Sequence, residues 1–187
     1  MNYRIEQDFL GELKIPHDAY YGVHTARALA NFNLPNYHLT HNYLIQGFAK
    51  VKIAAANANY RTGKINSETC KAIIFACEQI LAGKYLDQFT IPAIQGGAGT
   101  STNMNANEVI ANIAIEHLGY EKGRYDILHP INHVNMSQST NDAYPTAIKL
   151  GIYELINEVE RNLKYLRRCL EDKADEFKDI MKMGRTQ

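Results

Sequence analysis

Apolar residues recur at spacings of three and four along the middle of the chain. This period is that of one face of an α-helix, and it predicts helices over residues 42–59, 67–81 and about 101–118. Gly83 and Gly119 follow the second and third of these, at the position where helices commonly end. The middle of the chain is therefore expected to be helical.

The longest regular pattern lies near the end of the chain and predicts a helix over residues 141–170. Such a helix is roughly 45 Å long at 1.5 Å per residue. Its apolar seam needs partner helices, which the chain does not supply afterwards, so further chain or other subunits are expected to cover it. The seam consists of Ile148, Ile152, Leu155, Val159, Leu163, Leu166 and Leu170.

The remaining segments lack a clear period. Residues 1–37 read as irregular or extended because prolines and glycines interrupt them, and no strand of convincing length or alternation is visible. Residues 91–99 and 119–138 read as loops. The predicted fold class is mainly α, with one domain over residues 1–139 and the start of a helical bundle over residues 140–187.

Composition narrows the class of protein. Lysine plus arginine equals aspartate plus glutamate, 20 each, so no basic excess is available for nucleic acid. No apolar run reaches the roughly 20 residues of a membrane span, and the start has no signal-peptide pattern. Cys70 and Cys77 would lie roughly 10 Å apart on one helix, too far for a disulfide. We therefore expect a cytoplasmic protein with reduced thiols.

Candidate chemistry sits in two polar clusters, each at a predicted helix start. Thr100 follows a glycine-rich loop without the lysine of a nucleotide-binding P-loop, and glycines allow close approach of the backbone to a ligand. Ser139, Thr140 and Asn141 open the last helix. One interpretation is ordinary helix capping; the other is a shared site for an anion such as a carboxylate.

Two histidines raise the question of a metal. His129 and His133 are four residues apart, but Pro130 disfavours an α-helix there and no third ligand of fitting spacing follows. Structural or substrate-lining histidines are the better interpretation. No metal and no cofactor is expected.

Three long blocks of the sequence resemble the aspartase/fumarase superfamily. They are residues 97–109 (GAGTSTNMNANEV), 133–146 (HVNMSQSTNDAYPT) and 182–187 (KMGRTQ). Residues 4–28 are similar to the start of the same family, so the resemblance runs over most of the chain. The YYGVHT motif at residues 20–25 resembles the aspartase branch, as does Gln187, because fumarases carry a catalytic histidine at that place.

This resemblance implies a fold and an activity. The fold would be the N-terminal helical domain of the aspartase/fumarase fold, followed by the first long helix of its central helix bundle. The activity would be an ammonia-lyase reaction converting L-aspartate to fumarate, in a homotetramer whose chains share each active site. Fumarase, another lyase of the superfamily and a non-catalytic structural homologue are the alternatives.

The resemblance also assigns residues. Thr100, Ser139 and Thr140 would bind the reacting carboxylate, while Asn141, Thr186 and Gln187 would orient the ammonium end. The family signature Gly-Ser-Ser-x-Met-Pro-x-Lys-x-Asn is absent. We therefore expect the base serine beyond Gln187, no catalytic base in this chain, and a chain that covers only the first part of the protein. The motif His129-Pro130-Ile131-Asn132 departs from the fumarase pattern, which argues against a fumarase-like second dicarboxylate site there.

Overall fold

Helices form most of the structure, a computed structural model that describes residues 2–33 and 39–184. The α-helices of these ranges are α1 (Val23–Asn31), α2 (Asn42–Arg61), α3 (Ser67–Leu81), α4 (Thr100–His117) and α5 (Thr140–Glu176). A 3₁₀ turn covers Leu86–Gln88 and a π-helical turn covers Pro130–Val134. The mainly α class and the four predicted helices are confirmed, with bounds shifted by a few residues.

The prediction that the chain has no convincing strand is wrong. Strands β1 (Tyr3–Asp8) and β2 (Gly11–Pro16) form an antiparallel hairpin. Alternation is inverted in β1, because Ile5 is 63% exposed whereas the neighbouring Glu6 is 4% exposed. A pattern that looks for apolar residues on the inner face therefore misses this hairpin.

Helix α1 also lies in the segment predicted to be irregular. Its N-cap residue is Gly22, which provides no side-chain cap. Glu108 of α4 takes that role by accepting hydrogen bonds from the amides of Gly22, His24 and Thr25, at 2.8–3.1 Å. A helix start held by a carboxylate more than 80 residues away leaves no local signal. Residues 1 and 34–37 of the same predicted segment lie outside the described residues.

The core forms where α2, α3 and α4 pack together. Helix α4 is buried along almost its whole length and lies at the centre of this packing. Gly47 of α2 lets the backbone of Ala147 approach so closely that a Cβ atom would collide with the Ala147 carbonyl oxygen. The first turns of α5 therefore pack on α2.

Helix α5 belongs to two compact units, which divide between Gly151 and Ile152. The first unit includes the opening turns of α5. In the second unit, most of the predicted seam is exposed. The domain boundary between residues 139 and 140 stays a prediction.

The sequence predicts that the chain has no membrane span and that its cysteines are reduced thiols. No helix in the described ranges combines the length and the apolar character needed to cross a bilayer.

Cys70, Cys77 and Cys169 are free thiols, and burial raises the pKa of Cys77 to about 12. Cys77 is therefore a neutral, inert part of the core.

Candidate functional site

The two polar clusters meet in space. Asn103 lies in the first turn of α4, three residues after Thr100, and is 1% exposed. Its Nδ2 donates a hydrogen bond of 3.2 Å to Oγ1 of Thr140, the first residue of α5. The starts of α4 and α5 are thus joined by a direct side-chain contact, although 37 residues separate the two partners.

Thr100 directly follows the glycine-rich loop and is the first residue of α4. Its side chain is exposed, and its Oγ1 donates to the Gly97 carbonyl oxygen at 2.9 Å. Gly99, with φ of +83°, lies so close to the Tyr144 ring that any Cβ atom would collide with it. Glycine is therefore required there both by the left-handed backbone and by the ring. Thr100 must rotate its hydroxyl away from Gly97 before it can donate to a ligand.

Ser139 caps α5. Its Oγ accepts from the Asn141 amide at 3.1 Å, and its own amide donates to Oδ2 of Asp142 at 3.2 Å. This reciprocal pair has the layout of a capping box, with aspartate in place of the usual glutamate. The capping interpretation is confirmed for Ser139. Its hydroxyl proton is not used in this pair, so Ser139 can still act as a donor.

The remaining candidates divide between two cavities. Asn141 lines a cavity of about 440 Å³ together with Gly99 and Tyr144. Thr100 lines another, of about 470 Å³, with His24 and Arg27. Thr186 and Gln187 lie outside the described residues.

The cation beside Thr100 is already paired. Arg27 donates two hydrogen bonds to Asp8, each of 2.8 Å, and a third of 3.0 Å to the Gly11 carbonyl oxygen. The guanidinium holds the pKa of Asp8 below its ordinary value, because it stabilises the ionised carboxylate. Arg27 thus fixes α1 to the hairpin.

Sequence reasoning missed the buried cation beneath these clusters. Lys52 of α2 is 0% exposed, and its ammonium donates to Oδ1 of Asn103, Oδ1 of Asn135 and Oε1 of Gln138 at 3.0, 2.9 and 3.1 Å. Burial lowers the pKa of Lys52 to about 7, and a smaller electrostatic interaction with Cys77 opposes this shift. Within the described residues, the acceptors of this buried lysine are neutral amides, a costly arrangement that is typical of functional sites.

A signal for Lys52 was present in the sequence. Ile45, Phe48, Lys52 and Ala56 are spaced three, four and four, and all four are buried. Lys52 therefore occupies the apolar stripe of α2, where a charged residue is rare unless it is paired. A charged residue at a buried position of this apolar stripe is the sequence signal that identifies Lys52.

His129 and His133 accept hydrogen bonds from backbone amides. Nδ1 of His129 accepts from the amides of Ile131 and Asn132, and Nδ1 of His133 accepts from the amide of His129. Burial is the largest cause lowering the pKa of both imidazoles. Both rings therefore stabilise the π-helical turn. Across the described ranges, no group of three or more His, Cys, Asp or Glu side chains is placed to hold a metal ion.

The chain is similar to known lyases in sequence and in fold. A protein-family model described as Lyase matches residues 11–187. The chain is 51% identical over 185 residues to an aspartate ammonia-lyase of Helicobacter pylori, covering 98% of this chain and 40% of that protein. The chain thus spans about 40% of the length of the curated relatives it matches.

Solved structures share the fold. A fumarate lyase:delta crystallin from Brucella melitensis superimposes with a TM-score of 0.96 at 49% identity, over 100% of this chain and 44% of that one. A class II fumarase from Schistosoma mansoni superimposes with a TM-score of 0.92 at 36% identity, over 99% and 39%. The predicted resemblance is confirmed: the chain belongs to the lyase family.

Proposed function

We propose that the whole protein to which this chain contributes is an ammonia-lyase that converts L-aspartate to fumarate and ammonia by anti-elimination. The observation that carries the proposal is the contact between Asn103 and Thr140, which brings the starts of α4 and α5 together. Two adjoining helix starts offer hydroxyl and N–H donors to one carboxylate. The 51% identity to the Helicobacter pylori aspartate ammonia-lyase supports aspartate as the substrate.

The proposed reaction needs several hydrogen-bond donors around the reacting carboxylate. Removing the proton beside a carboxylate places a second negative charge on that group, so the site must bind the dianion more tightly than the substrate. Thr140 takes the central role in this proposal, and Thr100 and Ser139 are the further hydroxyl donors. Asn141, Thr186 and Gln187 would orient the ammonium end. By resemblance, the base would be the serine of the family signature Gly-Ser-Ser-x-Met-Pro-x-Lys-x-Asn, which is not among these 187 residues.

Assembly is part of the proposal. Five seam residues of α5 are exposed, and apolar stripes of this length are normally covered by other helices. They are Ile152, Val159, Leu163, Leu166 and Leu170. We propose a homotetramer whose chains share each site, working in the cytoplasm, where the three free thiols would stay reduced.

The substrate is tested with the whole protein. Aspartate, malate and argininosuccinate are supplied separately, and fumarate is followed by its ultraviolet absorbance. We expect fumarate from aspartate alone, together with an equal amount of ammonia. Fumarate from malate would identify a fumarase, fumarate from argininosuccinate another lyase of the superfamily, and no product from any of them a non-catalytic homologue.

The 187-residue chain by itself is expected to release no ammonia from aspartate. The physical reason is that the described residues provide hydrogen-bond donors for a carboxylate but no proposed base. An ammonia assay at high protein concentration checks this expectation. Turnover in the usual enzyme range, about 1–1000 per second, would show that the chain contains its own base.

The same chain is expected to self-associate through the seam of α5. Replacing Ile152 and Val159 by lysine should return it to a monomer with little loss of helix, because both side chains are exposed and contribute little to the fold. Light scattering over a range of concentrations, with circular dichroism as the control for folding, measures both. A wild-type chain that stays monomeric throughout would contradict the expectation.

A further inference from the structure

The ammonium of Lys52 has three protons, and the structure uses all of them. Each points to a different carboxamide oxygen: that of Asn103 on α4, and those of Asn135 and Gln138 in the segment before α5. A protonated lysine can only donate, so each of these amides must turn its oxygen toward Lys52. The orientation of the three side-chain amides is thereby fixed by chemistry.

The nitrogen of Asn103 consequently faces away from Lys52. It donates to Oδ1 of Asn135 at 3.1 Å and to Oγ1 of Thr140 at 3.2 Å. The Thr140 oxygen is therefore the acceptor in this contact, and its proton is left for another partner.

We propose that Lys52 is a positioning residue for the lyase reaction, which sets the Thr140 hydroxyl as a donor to the reacting carboxylate through the Asn103 amide. The inference rests on the proposed function, because it assumes that the carboxylate binds at Thr140. Lys52 itself is 0% exposed, so it would act on the substrate only through Asn103 and Thr140. Its effect is transmitted by the direction of two consecutive hydrogen bonds.

The charge of Lys52 strengthens this arrangement. Its acceptors in the described part of the chain are three neutral amide oxygens, and the titratable group facing it from α3 is the buried thiol of Cys77. When Lys52 is protonated, its positive charge polarises the Asn103 amide and so makes the Thr140 hydroxyl a better donor. Polarised donors of this kind matter most when the carboxylate gains its second charge.

A double-mutant cycle in the whole protein tests whether Lys52 acts through Thr140. Lys52→Met, Thr140→Ala and the double variant are compared with wild type for kcat and KM on aspartate, at a pH below about 7, where Lys52 is protonated. We expect Lys52→Met to lower kcat at least about tenfold with a smaller change in KM. In the Thr140→Ala background the same replacement should cost almost nothing further, because both changes remove one interaction.

Independent losses that multiply in the double variant would overturn the proposal, as would unchanged kcat in Lys52→Met. Lys71→Met is the matched control, because Lys71 is exposed on α3; it should behave as wild type. A wild-type protein inactive on aspartate would instead contradict the proposed function, so the two failures are distinguishable.

A second variant covers the case in which Lys52→Met fails to fold. Asn103→Asp keeps an acceptor for the ammonium but presents an oxygen where the Nδ2 donor was, so Thr140 would donate to Asp instead of to the substrate. Its kcat should fall at least as far as that of Lys52→Met while circular dichroism shows a folded protein. A folded Asn103→Asp variant with wild-type kcat would refute the proposed direction of the hydrogen bonds.

Discussion

Replacing Thr140 by alanine is expected to lower the kcat of the whole protein on the order of 100-fold, with a smaller effect on KM. The Thr140 oxygen already accepts a hydrogen bond from Asn103, so its proton is available to a ligand. That donor gains strength as the carboxylate becomes a dianion, and its loss therefore acts mainly on the transition state. Thr100→Ala is expected to act in the same direction, after the Thr100 hydroxyl has rotated from Gly97 to the ligand.

Steady-state kinetics with aspartate measure both effects. Thr146→Ala is the matched control, because Thr146 lies on the same helix, is exposed, and donates its hydroxyl proton to the Asp142 carbonyl oxygen. A higher KM with unchanged kcat would mean that Thr100 and Thr140 only bind the substrate. Unchanged kinetics would mean that they serve the helix starts alone.

The free energy of unfolding is expected to rise with pH above about 7 because of Lys52. Burial lowers the pKa of Lys52 from 10.5 to about 7 in the folded chain. Between these values the unfolded chain holds a proton that the folded chain has lost, so raising the pH favours the folded state, by up to about 1.4 kcal/mol per pH unit. Below pH of about 7 both states are protonated, and the contribution of Lys52 no longer changes.

Urea unfolding of the 187-residue chain at about pH 6, 7.5 and 9 measures this slope. Lys52→Met should remove it, whereas Lys71→Met, at an exposed position, should keep it. The pKa of Cys77, raised to about 12 by burial, keeps its thiol protonated throughout this range. An identical slope in Lys52→Met and wild type would mean that the three amide oxygens hold Lys52 protonated in the folded chain.

The helices from α2 to α5 could be predicted because their signals are local. Spacings of three and four, with glycines after the ends of α3 and α4, place each helix to within a few residues. The polar clusters at residues 97–104 and 138–142 are equally visible in the sequence. Their chemistry and their resemblance to the lyase family identified the candidate site before its geometry was known.

The hairpin, α1 and the buried lysine were decided by the tertiary structure. The charged residue Glu6 lies on the buried face of the hairpin, and the start of α1 is held by Glu108, 83–86 residues further along the chain. Lys52 is satisfied by amides 51, 83 and 86 residues away. A buried polar group is tolerated only when its partners are in place.

The features that the sequence predicts and the features that only the tertiary structure decides depend on different interactions. Helical periodicity reflects interactions between residues three or four apart, so the sequence determined that the segments of α2 to α5 are helices and which of their starts carry hydroxyls. The direction of a hydrogen bond depends on where distant side chains meet in the folded core. Only the tertiary structure could decide that Lys52 lies beneath Asn103, and that Thr140 is left with a proton to donate.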